Sequence, residues 1–108
     1  MTIKIVNNYI LIKSGIDDTL NDLKDQFNTD KFFHLHVIID LNSMQIVEYL
    51  DLLNSLSEKY KTLKKSFIVI TSKISEELYE FELALVPTFK EALDLIQLEE
   101  IERDLNII

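Results

Sequence analysis

This chain predicts an α/β domain built on one mixed sheet, and three features carry the prediction. Two short β-rich runs, IKIV and YILI, meet at an Asn-Asn pair near the start, the pattern of a tight hairpin. Two later runs, HVIIDL and SFIVIT, are continuously apolar, as strands covered on both faces are. Segments with leucine and isoleucine at helical spacing separate and follow them. At 108 residues the chain reads as a single domain, 1–108, long enough to build a core without staples.

The hairpin opens the chain. A two-residue turn at Asn7-Asn8, where Asn tolerates positive φ, pairs Ile5 with Ile10 and Ile3 with Ile12 on one face. Val6 then faces Tyr9, and Lys4 faces Leu11, on the other. Lys4 and Lys13 imply that the outer face or an edge meets water. Gly15 to Asp18 breaks the strand, and Asp18 or Thr19 caps a short helix carrying Leu20, Leu23 and Phe27. Residues 32–41 (FFHLHVIIDL) contain the central strand. A long amphipathic helix is expected from 45 to 65. Its buried stripe is Ile46, Tyr49, Leu50, Leu53, Leu56, Tyr60 and Leu63, with Glu48, Asp51, Glu58, Lys61 and Lys64 outside. Asn42 with Gln45 three residues on resembles a capping box.

A second buried strand covers 66–71, and a short helix follows with Ser75 as its cap. ALVPT supplies the last strand. Thr88 and Glu91 form a capping-box pair for a final helix whose apolar face is assigned Phe89, Ala92, Leu93, Ile96, Ile101 and Leu105. The order is β-β-α-β-α-β-α-β-α, with about five strands and four helices. The crossovers make neighbouring strands parallel and right-handed, and the hairpin adds an antiparallel strand.

Composition excludes several function classes. The formal net charge of −8 argues against nucleic acid, whose phosphates need a basic surface, and against an anionic membrane. With no cysteine there is neither disulfide nor thiolate chemistry. Phosphate-cradling loops need glycines, and the only one is Gly15. No cofactor motif is present, and none is expected. No leader segment or membrane-length apolar run is seen, so a cytoplasmic location is expected.

Three stretches resemble the STAS family, named for sulfate transporters and anti-sigma-factor antagonists. HVIIDL resembles the family's central strand, SFIVITSKISEELYEF its next strand and short helix, and VPTFKEALDLI its last strand and the start of its final helix. The resemblance covers most of the chain and implies a STAS-like fold. It further implies a regulator that docks on another protein, such as an anti-sigma factor or a kinase-like regulator. Antagonists of the family carry Asp-Ser-Ser/Thr-Gly at the start of the helix after the central strand, where a partner kinase phosphorylates the first hydroxyl residue. Here the matching stretch, Gln45 to Asp51, has no Ser, Thr or Gly. The phosphoswitch therefore does not carry over.

The candidate contact surface is the strand-to-helix turn and the first turns after it: Asn42, Ser43, Gln45, Glu48 and Asp51. Ser43 is a candidate phosphosite, since a phosphate near a helix N-terminus is stabilised there; the plainer reading is that Asn42 and Ser43 cap the helix. Glu48 stands as a partial substitute for a phosphate charge, or as part of a solvated face. His34 and His36 would share one side of a strand, with Asp40 farther along at the same parity, but no third metal ligand is evident. Glu76-Glu77 and the acidic run Glu99, Glu100 and Glu102 read as solvated faces. Ile101, Leu105, Ile107 and Ile108 either tuck onto the sheet, the favoured outcome, or seed a dimer contact. The aromatics read as core or partner-facing groups. The expected function is thus a non-enzymatic protein-interaction module, monomeric or weakly dimeric; the alternative is a small-ligand or nucleotide sensor.

Overall fold

The hairpin forms where the Asn-Asn pair predicts it. In the computed structural model, which describes residues 1–41, 46–72 and 82–106, β1 (Thr2–Val6) and β2 (Tyr9–Lys13) pair antiparallel. The register is the expected one, Ile5 on Ile10, Ile3 on Ile12, Lys4 on Leu11 and Val6 on Tyr9. Asn7 takes the left-handed conformation, φ 51°, which Asn tolerates better than most residues.

From β2 the chain climbs the sheet one strand at a time. Thr19 caps α1 (Leu20–Gln26) in a complete capping box with Asp22, which settles the choice of cap between Asp18 and Thr19. Then follow β3 (His36–Asp40), a 3-10 turn (Ile46–Tyr49), α2 (Leu50–Thr62), β4 (Phe67–Ile70), β5 (Ala84–Val86) and α3 (Phe89–Asp104). The strand order is β1-β2-β3-β4-β5, antiparallel at the hairpin and parallel thereafter. Crossovers of one hand stepping in one direction place their helices on one face. Accordingly Leu23, Leu53, Leu56 and Tyr60 pack with Ile10, Ile12, Val37, Ile39 and Val69. α3 covers the opposite face, setting Ala92 and Ile96 against Ile38, Ile68 and Ile70. Strands β3 and β4 are thus buried on both sides, as their unbroken apolar runs require. No helix among the described residues is long and apolar enough to cross a membrane.

Several expectations need correction. The described residues hold three α-helices, where four were expected; of the short helix expected over 75–83, residues 75–81 lie outside the described residues, and Glu82 and Leu83 are not helical. The helix expected over 45–65 is divided. Ile46-Val47 is a β-branched pair, poorly suited to start an α-helix. In a 3-10 turn, residues three apart eclipse, so Ile46 and Tyr49 both reach the core. Leu63, assigned to the buried stripe, is 36% exposed because the chain leaves the helix at that point. Lys64 enters the left-handed region at φ 59°. Lys65 N–H donates to the Tyr60 carbonyl at 2.9 Å and Lys64 N–H to that of Lys61 at 3.0 Å, a Schellman close. β1 lies at the sheet edge beyond the helices, so Ile3 and Ile5 are 40% and 60% exposed.

The last correction concerns α3. Ile101 and Leu105 do not tuck onto the sheet; they are 56% and 64% exposed, and Ile107 and Ile108 lie outside the described residues. At 3.6 residues per turn, the five-residue step from Ile96 to Ile101 rotates about 140°. Ile101 therefore cannot share a face with Ala92 and Ile96. The inward line beyond Ile96 is occupied by Glu99, Glu100 and Arg103.

Phe27, Phe33 and Phe67 surround the Tyr60 ring, with centroids at 6.2, 5.9 and 5.7 Å. The Tyr60 hydroxyl is buried without a hydrogen-bond partner among the described residues, and burial pushes its pKa up to about 12. An unpaired buried hydroxyl costs about 1–3 kcal/mol. Tyr60→Phe is therefore expected to stabilise the fold, by about 1 kcal/mol in urea unfolding; a loss of stability would show that the hydroxyl has a partner.

Candidate functional site

β-strands expose a side chain on the same face every second residue, so His36 lies on the α3 side of the sheet together with Ile38. It sits at the first position of β3 and is 2% exposed. A buried imidazole needs partners for both nitrogens. Ser66 N–H, at the entrance to β4, donates to His36 Nδ1 at 2.9 Å. A nitrogen that accepts carries no proton, so the proton sits on Nε2. That N–H donates to Glu100 Oε1 at 2.6 Å. The tautomer follows from the backbone donor.

Glu100 accepts a second bond from Asn8 Nδ2 at 3.1 Å, and Asn8's carbonyl accepts from His36 N–H at 2.9 Å. One turn along α3, Arg103 donates to Ser66 Oγ at 3.1 Å, with Glu99 at 3.9 Å. Five residues from the hairpin turn, two strand entrances and one helix thus form a single polar network. Burial lowers the His36 pKa, and the Glu100 carboxylate opposes the shift. Burial prevails, in keeping with the geometry: protonating Nδ1 would set an N–H against the Ser66 N–H.

Two connected clefts flank this network, at the end of the sheet where the parallel strands begin. The larger, 410 Å³, lies between α2 and α3 and is lined by Lys61, Lys64, Lys65, Phe67, Ala84 and Arg103, among others. The smaller, 230 Å³, adjoins His36 and Glu100 and shares Lys64, Lys65 and Arg103 with the first.

The residues singled out from the sequence are distributed differently. Asn42, Ser43 and Gln45 lie outside the described residues. Glu48, on the 3-10 turn, and Asp51, in the first turn of α2, are exposed, with Val47 62% exposed beside them. Tyr49 is buried under this surface; burial raises its pKa, and the charges of Glu48, Asp18 and Asp22 add to the rise. His34 and His36 do not share a strand face, because His34 precedes β3 in a turn. Asp40 stands at the far end of β3 from His36, and no cluster of ligating side chains that could hold a metal occurs among the described residues. Glu99 and Glu100, assigned to a solvated face, are two members of the polar row turned towards the sheet. Their position could have been read from spacing alone: Glu100 lies four residues beyond Ile96 and eight beyond Ala92. Arg103 and Ser66 are ordinary surface residue types taken alone, and Asn8 stands out in the sequence only as a turn residue, so nothing there joins the three.

No family model, no curated protein and no solved structure matches the chain.

The direction of the His36 shift gives a pH dependence. Its folded pKa lies below the ordinary 6.5, so below that pH the unfolded chain binds more protons than the folded one. The stabilisation is complete above about pH 6.5 and is lost as pH falls from there toward the folded value. Stability in urea is expected to fall as pH drops below about 6.5, by at most about 1.4 kcal/mol per pH unit for this proton. His36→Gln should flatten that part of the profile; an unchanged slope would place the titration elsewhere.

Proposed function

We propose that the chain is a non-enzymatic protein-binding module, and that the outer face of α3 docks an amphipathic segment with basic flanks. The observation that carries this reading is the second apolar row of α3. Leu98, Ile101 and Leu105 are 50%, 56% and 64% exposed. At 100° per residue they fall within an arc of about 60°, opposite Ala92 and Ile96. A helix whose one face is already packed on a sheet has no folding reason to carry a second apolar row. The row is bordered by Glu91, Asp94, Glu102 and Asp104; of the two cations on the helix, Lys90 is exposed and Arg103 is turned inward. An apolar ridge between carboxylates is complementary to a helix with a leucine-type face and lysine or arginine at its margins. The same carboxylates, in a chain of net charge −8, disfavour pairing of this face with a second copy.

The resemblance to STAS antagonists supports a regulator of this kind, one that docks on another protein and lacks the phospho-acceptor that those antagonists carry. It also favours a second contact surface, around Asn42, Ser43, Gln45, Glu48 and Asp51. The specific observation behind that second surface is Val47, an exposed aliphatic side chain beside two exposed carboxylates.

A basic amphipathic helical peptide titrated into labelled protein is expected to shift the amide signals of Leu98, Ile101 and Leu105 in a saturable way. Ile101→Glu should abolish the effect with little change in Tm, since the side chain is exposed; binding unaltered by that substitution would refute the surface. Glu48→Arg should leave this titration unchanged and weaken only a partner that uses the 3-10 turn. If such a partner binds the variant equally well, the second surface is wrong.

A further inference from the structure

We propose that the paired clefts between α2 and α3 form a binding site for a small organic oxyanion, a phosphate monoester or carboxylate carried on an apolar body. The inference is independent of the docking face, which lies on the other side of α3.

Charge placement comes first. The chain has eleven basic residues and nineteen acidic ones, yet four of the eleven, Lys61, Lys64, Lys65 and Arg103, line this one space. Three of them, Lys64, Lys65 and Arg103, stand where the two clefts meet. Arg103 is the only arginine of the chain, and its side chain is 17% exposed. The bond to Ser66 Oγ holds its guanidinium in place, and a guanidinium has five N–H donors, so that bond leaves others for a ligand.

Four carboxylates, Glu82, Glu99, Glu100 and Asp104, share the lining, so the site rests on where its cations converge and not on an excess of positive charge. Glu100 is committed to His36 and Asn8. Glu82 is almost fully exposed and stands 4.0 Å from an equally solvated Lys61, a separation of little energetic weight. Glu99 lies 3.9 Å from Arg103, on the same helix. No carboxylate among the described residues forms an ion pair with Lys64 or Lys65.

Lys64 adds an independent observation. It occupies the left-handed position that closes α2, ordinarily a glycine, because a Cβ there is strained. A lysine at this point places a cation at the junction of the clefts at the cost of local backbone strain. The body of the ligand follows from the rest of the lining. Phe67, Ala84 and the aliphatic stems of the lysines make the larger cleft mainly apolar, and 410 Å³ is within the range of small-molecule sites.

The test is an amide NMR titration of the whole chain with phenyl phosphate, with benzoate and, separately, with inorganic phosphate. Saturable shifts are expected at Lys64, Lys65, Phe67 and Arg103, with a Kd of about 1 mM or tighter for phenyl phosphate or benzoate. The tighter of the two identifies the head group, and inorganic phosphate should bind at least about tenfold more weakly than that one, for want of an apolar body. Lys64→Gly relieves the backbone, so it should leave Tm at or above that of the unaltered chain while weakening binding several-fold. The double variant Lys64→Gln/Lys65→Gln should weaken it further. Non-saturating shifts with all three probes, inorganic phosphate binding as well as either organic anion, or an affinity indifferent to both variants would overturn the proposal.

Discussion

The geometry of α3 depends on one buried histidine. His36 is almost fully enclosed at the start of β3, and its two nitrogens are satisfied by groups distant in sequence, the Ser66 backbone and the Glu100 carboxylate. A backbone donor cannot be withdrawn without breaking the entrance to β4, so it fixes which nitrogen carries the proton. That proton in turn aims Glu100, and Glu100 sets the rotation of the second half of α3. Asn8, at the hairpin turn, holds the same carboxylate from the other side. The helix, which otherwise meets the sheet only through apolar contacts, is thereby keyed to the register of the strands.

The rotation has a consequence on each side of the helix. Turning Glu99, Glu100 and Arg103 inward leaves Leu98, Ile101 and Leu105 no route to the sheet. The exposure of the outer row therefore follows from the inward polar one, while its apolar character does not. The first half of α3 is held by burial of Ala92 and Ile96, and a side chain such as Ile96 contributes about 1.5–3 kcal/mol in this way. The second half is held by hydrogen bonds whose net worth is smaller and more sensitive to solution conditions.

Legibility in the sequence tracked the physical origin of each feature. The hairpin register was readable to the residue because period-two alternation and an Asn-Asn turn leave no freedom. The two central strands were readable from unbroken apolar runs, although residues 32–35 proved to be a turn that supplies aromatic rings to the Tyr60 cluster. Thr88 was readable as a cap, and its Oγ accepts from Glu91 N–H at 3.2 Å. The division of the long helix was not readable, since a 3-10 turn followed by an α-helix keeps nearly the same apolar spacing. The polar network was the least legible part. Its members come from positions 8, 36, 66, 100 and 103, and only tertiary packing brings them together. The candidate surface after β3 rests on Glu48 and Asp51, whose exposure a helical wheel already implies.

The network also explains how an acidic chain keeps a cationic cleft. Lysines on an exposed helix end would ordinarily be neutralised by the nearest carboxylates, and α3 brings three acidic residues, Glu99, Glu100 and Asp104, close to the end of α2. One of them, Glu100, is drawn away by a histidine that offers a hydrogen bond without a positive charge of its own. Were His36 protonated, its charge would oppose Lys65 and Arg103, both of which lower its pKa. Neutral His36 fixes the Glu100 carboxylate at the cleft wall without adding a cation beside the lysines. Because the tautomer is set by the backbone and not by the solvent, that arrangement survives any change outside the cleft that leaves the start of β4 intact.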